Sequence, residues 1–153
     1  MSASIKNRYL IFYPSPGSKT GWEATRTALL PSQLPSTEDR IELWAINLEA
    51  LRNVMLHRAG EDTLANFAKR HFSVTEASQL IGLNKNTLHE WLKRDLVKPS
   101  VRPKSGKGTR MFFNGEDLFR LEIYRRLSDR GLLRTGAAYI VKLMNFSDTI
   151  LSS

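Results

Sequence analysis

One short stretch restricts the fold of this chain more than any other. Ser73-Val74-Thr75-Glu76 has the spacing of a capping box, in which the Ser hydroxyl and the Glu carboxylate satisfy each other's backbone donors at a helix N-terminus. Val74, Ala77, Leu80 and Ile81 then recur on one helical face, and Gly82 is placed to stop the helix after about two turns. Leu83 is apolar, Asn84 can cap a second helix, and Leu88, Trp91 and Leu92 give that helix its own buried face. Two short helices joined by a glycine-containing turn form a helix-turn-helix.

The charge of the chain collects at the same place. The 153 residues carry 23 Lys+Arg against 15 Asp+Glu, a net charge of +8. Residues 85–110 hold eight of those cations (Lys85, Lys93, Arg94, Lys98, Arg102, Lys104, Lys107, Arg110) and only Glu90 and Asp95 in opposition, so this window alone is +6. A basic patch that coincides with a helix-turn-helix is the electrostatic footprint of a nucleic-acid binder. A solvated basic face is the plainer alternative.

The rest of the chain supplies a frame. Tyr9-Leu10-Ile11-Phe12-Tyr13 is a β-prone run ended by Pro14, and a short helix is expected over residues 22–30, beginning near Trp22. A longer helix is expected from Ser36 or Thr37 to about residue 58. Its stripe is Ile41, Trp44, Ala45, Leu48, Leu51 and Met55, with Gly60 as its stop. Leu43, Ile46 and Val54 add apolar side chains off that stripe, which fits either a core helix or a dimer or partner interface. A shorter helix is expected over 62–70, with Leu64, Phe67 and Ala68 inward. After the helix-turn-helix, Leu96-Val97-Lys98-Pro99 ends the second helix, residues 100–110 form a polar loop, and Met111-Phe112-Phe113 returns as the second strand of a basic hairpin, a wing. Helices are expected from about Glu116 to Arg130, with Gly131 as its stop, and from about Thr135 to Asn145, with Ala137, Ile140, Val141 and Met144 buried. The 116–130 helix is charge-neutral.

Other function classes find little support. The chain has no cysteine, which excludes a disulfide scaffold, thiolate zinc sites and thiol chemistry. His57, His71 and His89 are isolated, with no metal-ligand spacing. Ser105-Gly106-Lys107-Gly108-Thr109 fails as a phosphate loop, because Val101 stands where a Gly is required and Gly108 displaces the Ser/Thr. No nucleophile–base constellation stands out, and neither an enzyme nor a cofactor is expected. No apolar run reaches the roughly 18 residues of a membrane span, and the N-terminus has no signal-peptide core, so a cytoplasmic protein is expected.

These motifs together resemble the DNA-binding domain of the MerR family of bacterial transcription regulators. Residues 72–84 look like its first helix and turn, and Leu96-Val97-Lys98-Pro99 is similar to its exit toward the wing. Arg110 to Phe113, then Asp117-Leu118, Leu121 and Leu127 up to Gly131-Leu132, look like the end of the wing and the following helix. Thr87-Leu88-His89-Glu90-Trp91 stands where the family usually has Thr-Leu-Arg-Tyr-Tyr, and Asp95 replaces a common Gly.

The resemblance implies a mainly α fold: a MerR-like winged helix-turn-helix over 72–145, a partly irregular and then helical N-terminal extension over 1–71, and a tail over 146–153. The usual C-terminal effector domain is not expected. The expected partner is double-stranded DNA, read with a sequence preference. Lys85, Asn86, Thr87 and His89 would meet the bases, and Lys93 and Arg94 the phosphates. Arg102, Lys104, Lys107 and Arg110 on the wing would meet the backbone or a minor groove. Thr87 fits a structural place in the helix equally well. A homodimer is expected, with residues 1–71 as a possible surface for a protein partner. Related winged domains occur in phage excisionases and terminase small subunits. A phage or plasmid architectural, packaging or partition role therefore stands beside transcription regulation, in a bacterial or phage-encoded, nucleoid-associated protein.

Overall fold

The structure is a computed structural model that describes residues 9–14, 22–24, 44–101, 111–131 and 141. Along the chain these form strands β1 (Tyr9–Pro14), β2 (Trp22–Ala24) and β3 (Trp44–Asn47). Helices α1 (Leu48–Ala59), α2 (Leu64–Lys69), α3 (Val74–Ile81), α4 (Lys85–Lys93) and α5 (Gly115–Asp129) follow. The fold is mainly helical. The strands form one antiparallel sheet in the order β2-β1-β3.

Two expectations for the N-terminal region are corrected. The helix expected to begin near Trp22 is absent there, because Trp22–Ala24 pairs with Phe12–Pro14 as β2. The helix expected from residue 36 or 37 does not run through Trp44–Asn47, which pairs with Tyr9–Phe12 as β3; helix is present from Leu48, and residues 36–43 lie outside the described residues. The 3.6-residue stripe drawn through Trp44 and Ala45 belongs to a strand at that end. A short apolar run satisfies both periods, and pairing with the equally apolar β1 decides in favour of the sheet. Leu10 and Ile46 lie opposite each other and are both buried. The strand passes directly into α1 because the Asn47 side chain accepts from the Ala50 N–H at 3.0 Å and caps the helix.

The remaining helices start and stop where the residues direct. The Ser73–Glu76 capping box is formed in both directions, at 3.1 and 3.2 Å. Gly82 takes the left-handed conformation (φ 76°) that closes α3, and the N–H groups of Gly82 and Leu83 both return to the Ser78 carbonyl. Asn84 caps α4 through the Asn86 N–H at 2.8 Å. A second capping box, unexpected from the sequence, opens α5: Asn114 and Asp117 exchange bonds of 2.8 and 3.0 Å.

The core is continuous across the chain. Leu10, Ile46, Leu48, Leu51 and Met55 from the N-terminal region join Phe67, Phe72, Ala77, Leu88, Trp91, Phe113 and the inner face of α5 in one cluster. Phe67 is its hinge, with its ring 5.6 Å from that of Phe72 and 5.5 Å, edge-on, from that of Phe119. The stripe of Leu48, Leu51 and Met55 is therefore core, and all three are almost fully inaccessible. The helix expected over 135–145 lies outside the described residues except for Val141, which is helical and buried.

Candidate nucleic-acid interface

Helix α4 stands on α3 by its apolar side. Leu88 and Trp91 are buried, with the Trp91 ring edge-on to Tyr124 of α5 at 6.5 Å, so Trp91 is a core residue and offers no stacking platform. The opposite side is exposed and carries Lys85, Asn86, His89, Glu90, Lys93 and Arg94. Thr87, the third residue of α4, is half-buried at the edge of the core side. Glu90 lies 3.9 Å from the Lys93 amine and 4.0 Å from the Arg94 guanidinium; at these distances and exposures the pairs hold the cations loosely.

An open groove of about 720 Å³ runs beside α4. One wall is the N-terminus of α3 (Ser73, Val74, Thr75), and the other is Val97-Lys98-Pro99 with Met111 and Phe112. Lys85, His89 and Leu92 form the α4 side. Three positions along one helix therefore line the groove at i, i+4 and i+7, while Asn86 and Lys93 sit on the more outward face. Thr75 and Lys98 were not among the expected binding residues. The capping box already located the α3 N-terminus, but only packing reveals that it faces the same groove as Lys85 and His89.

The chain beyond α4 is tied back at two levels. Val101 and Phe112 exchange both backbone bonds, at 3.0 and 2.9 Å, and Phe113 does the same with Phe72 at 2.8 Å. Asp117 locks this root to α5. Its two carboxylate oxygens accept from the Ser100 N–H (2.9 Å), the Ser100 hydroxyl (2.7 Å) and the Asn114 N–H (3.0 Å). Residues 101 and 112 are thus held in antiparallel register, as a hairpin requires at its base. Arg102, Lys104, Lys107 and Arg110, the expected wing contacts, lie outside the described residues.

The bend that leads out of α4 is made by Asp95, which has φ 60°. This left-handed conformation is the one a glycine takes without cost, and Asp tolerates it better than most residues.

An ionic cluster around a buried acid joins α1 to α5. Glu122 is wholly inaccessible and accepts from Arg58 of α1 at 2.7 Å and from Arg125 at 2.7 and 2.9 Å, with Arg126 at 3.9 Å. The bond to Glu122 holds the Arg125 guanidinium above its ordinary pKa, whereas burial lowers that of Arg126. The sequence presented α5 only as charge-neutral and gave no sign that one of its acids is internal. Among the described residues no group of His, Asp or Glu could hold a metal ion, and no helix is long and apolar enough to cross a membrane.

Comparison with known proteins agrees with this geometry. Residues 72–142 match the model of the MerR HTH family regulatory protein. Uncharacterized HTH-type transcriptional regulators of Mycobacterium bovis and of two strains of Mycobacterium tuberculosis are each 34% identical to the chain over 56 residues. That match covers 37% of this chain and a quarter of each relative's length. No solved structure matches significantly. With its capped helix pair, its glycine turn and the α5 that supports them, the segment 72–142 is a MerR-type helix-turn-helix domain.

Proposed function

We propose that this chain is a sequence-preferring double-stranded DNA-binding protein that acts as a transcriptional regulator. The observation that carries the reading is the two-sidedness of α4: Leu88 and Trp91 are buried while Lys85, Asn86, His89, Lys93 and Arg94 are all presented to solvent beside an open groove. Helix α4 enters the major groove by its N-terminal end, as recognition helices do. Asn86 pairs with an adenine edge and Lys85 or His89 donates to a guanine. Thr87, being half-buried, serves the helix more than the bases. Lys93 and Arg94 reach phosphates.

The segment 102–110 acts as a wing, its base held by the Val101–Phe112 pair. Arg102, Lys104, Lys107 and Arg110 clamp the backbone or enter a minor groove. Residues 72–145 are the DNA-binding unit, with α1 and α2 of the preceding region packed on its α5. The protein works in the cytoplasm, without a cofactor and without catalysis. Two copies share one site. Because the α1 stripe is spent on the chain's own core, this last statement rests on the small footprint of a single module. The similarity to proteins named as transcriptional regulators supports regulation over an architectural or packaging role.

Binding-site selection from a random duplex library, followed by titration against salt, tests the reading. A preferred site is expected, with log Kd rising steeply with log salt. Neutralising Arg102, Lys104, Lys107 and Arg110 should flatten that slope by about 1 for each phosphate that one of them neutralises. Salt-independent binding, or no preferred site, would contradict it. Recovery of a palindrome supports two copies and regulation, whereas clustered direct repeats favour the architectural role.

A further inference from the structure

Glu90 is the one acid of α4. Its side chain is 57% exposed and makes no hydrogen bond among the described residues. The nearest cations, on Lys93 and Arg94, stand 3.9 and 4.0 Å away, beyond hydrogen-bond distance, and are themselves mostly exposed. Pairs of this kind contribute little to stability. Glu90 is also the sixth of the nine residues of α4, past the first turn in which the helix dipole favours an acid. Helix stability therefore gives only a weak reason for a carboxylate at this position.

Its place on the helix gives a stronger one. Asn86, Glu90 and Lys93 follow at i, i+4 and i+7 and form one row, on the side of α4 opposite the buried Leu88 and Trp91. A recognition helix lying in the major groove brings that row closest to the base edges. An acid there weakens general binding, because it faces the phosphates that Lys and Arg attract. One base reverses the balance. The major-groove edge of cytosine carries the N4 amino donor and no acceptor. Guanine shows O6 and N7, thymine shows O4, and adenine sets its amino group beside the N7 acceptor. An ionised carboxylate only accepts, so it meets cytosine without opposing a lone pair.

We propose that Glu90 is a specificity-determining residue of the DNA interface, its carboxylate accepting from the N4 amino group of a cytosine in the major groove. The assignment deepens the DNA-binding reading and rests on it. Side chains at i and i+4 lie about 5–6 Å apart, and base pairs rise about 3.4 Å per step. The cytosine therefore lies one or two base pairs from the adenine that Asn86 reads.

Wild type, Glu90→Gln and Glu90→Ala each select sites from a random duplex library. Affinity is then measured at one salt concentration for the wild-type site, for that site with its cytosine pair exchanged, and for a random duplex. Wild type should prefer the cytosine pair at one position by about tenfold. Glu90→Ala should level that position, and Glu90→Gln should move it toward adenine, to which a carboxamide both donates and accepts. Both variants should keep the rest of the site, melt with the wild type, and bind the random duplex more tightly, since one charge opposing the phosphates is gone. If Glu90 is only a solvated charge, both variants tighten on every duplex alike and select the wild-type site, which overturns the assignment and leaves the DNA-binding reading intact. A variant that melts well below wild type overturns it too, because Glu90 is then structural. A wild type that selects no site overturns the assignment together with the reading beneath it.

Discussion

Single residues carry much of the stability that the site depends on. Asp95 holds a left-handed backbone without being glycine. A β-branched side chain is strained there, so Asp95→Val should cost about 1–2 kcal/mol in denaturant unfolding, while Asp95→Gly should unfold no earlier than wild type. The pairing of Asp95 with Lys98 is exposed, at 3.5 Å, and contributes little to the difference. Glu122 is a larger case. It is inaccessible, and its removal leaves Arg58, Arg125 and Arg126 facing one another. Because these arginines keep 24–35% of their side chains exposed, water would screen part of the loss. Glu122→Gln should therefore cost about 2–3 kcal/mol, below the full cost of breaking a buried pair. Tyr124 adds a pH dependence. Its phenol is raised above the ordinary 10.0, so the folded state keeps a proton that the unfolded state releases. This lowers stability as pH rises above about 10, and the fall should be shallower in Tyr124→Phe.

At the scale of elements, the caps were legible and the partners of the caps were not. Ser73–Glu76, Gly82 and Asn84 are local signals, and each does what its spacing implies. The Asn114–Asp117 box has the same local form, yet its meaning is tertiary, since Asp117 also takes two bonds from Ser100, seventeen residues away. The strand at 44–47 was illegible for a related reason. Trp44, Ala45 and Ile46 fit a helical stripe, and only the long-range pairing with β1 selects the strand. The groove was half legible: the cations of α4 could be read from charge and periodicity, but Thr75 and Lys98 join them only through packing. Asp117→Asn should loosen the hairpin root. We expect a loss of about 1–2 kcal/mol in stability, with weaker DNA binding at temperatures well below the midpoint. Gly115 tests the close packing at the start of α5. A Cβ there would lie 2.8 Å from the Phe67 ring and 2.9 Å from the Phe67 carbonyl oxygen. Gly115→Ala should cost about 1–3 kcal/mol through displacement of Phe67, the ring that bridges Phe72 and Phe119.

On the scale of the whole molecule, the helix-turn-helix cannot be treated apart from the described chain that precedes it. Helices α1 and α2 both pack on α5, and α1 also packs on α3. Arg58 reaches from α1 to Glu122 and, at 3.4 Å, to the Leu80 carbonyl of α3. Arg70 clasps the same junction: it donates to the Ala59 carbonyl at 2.7 Å, pairs with Glu61 and Glu76, and lies 4.8 Å over the Phe72 ring. Sequence composition divided the chain at residue 71, whereas burial runs straight through that point. If the cluster is one cooperative unit, damage at its N-terminal end must be felt at α4. Leu51 is wholly buried, and Leu51→Ala should cost about 2–5 kcal/mol. Amide exchange then separates two outcomes. In a single cooperative unit, the most protected amides of α3, α4 and α5 lose protection by the same amount as those of α1. In a chain of two independent parts, α1 alone opens and the helix-turn-helix keeps its protection. The shared core, the Arg58–Glu122 bond and the Arg70 clasp all require the first result. They also require that a fragment beginning at Phe72, stripped of α1 and α2, shows broad exchange and no sharp thermal transition, because the faces of Phe72 and Phe119 that Phe67 covers would then lie open to water.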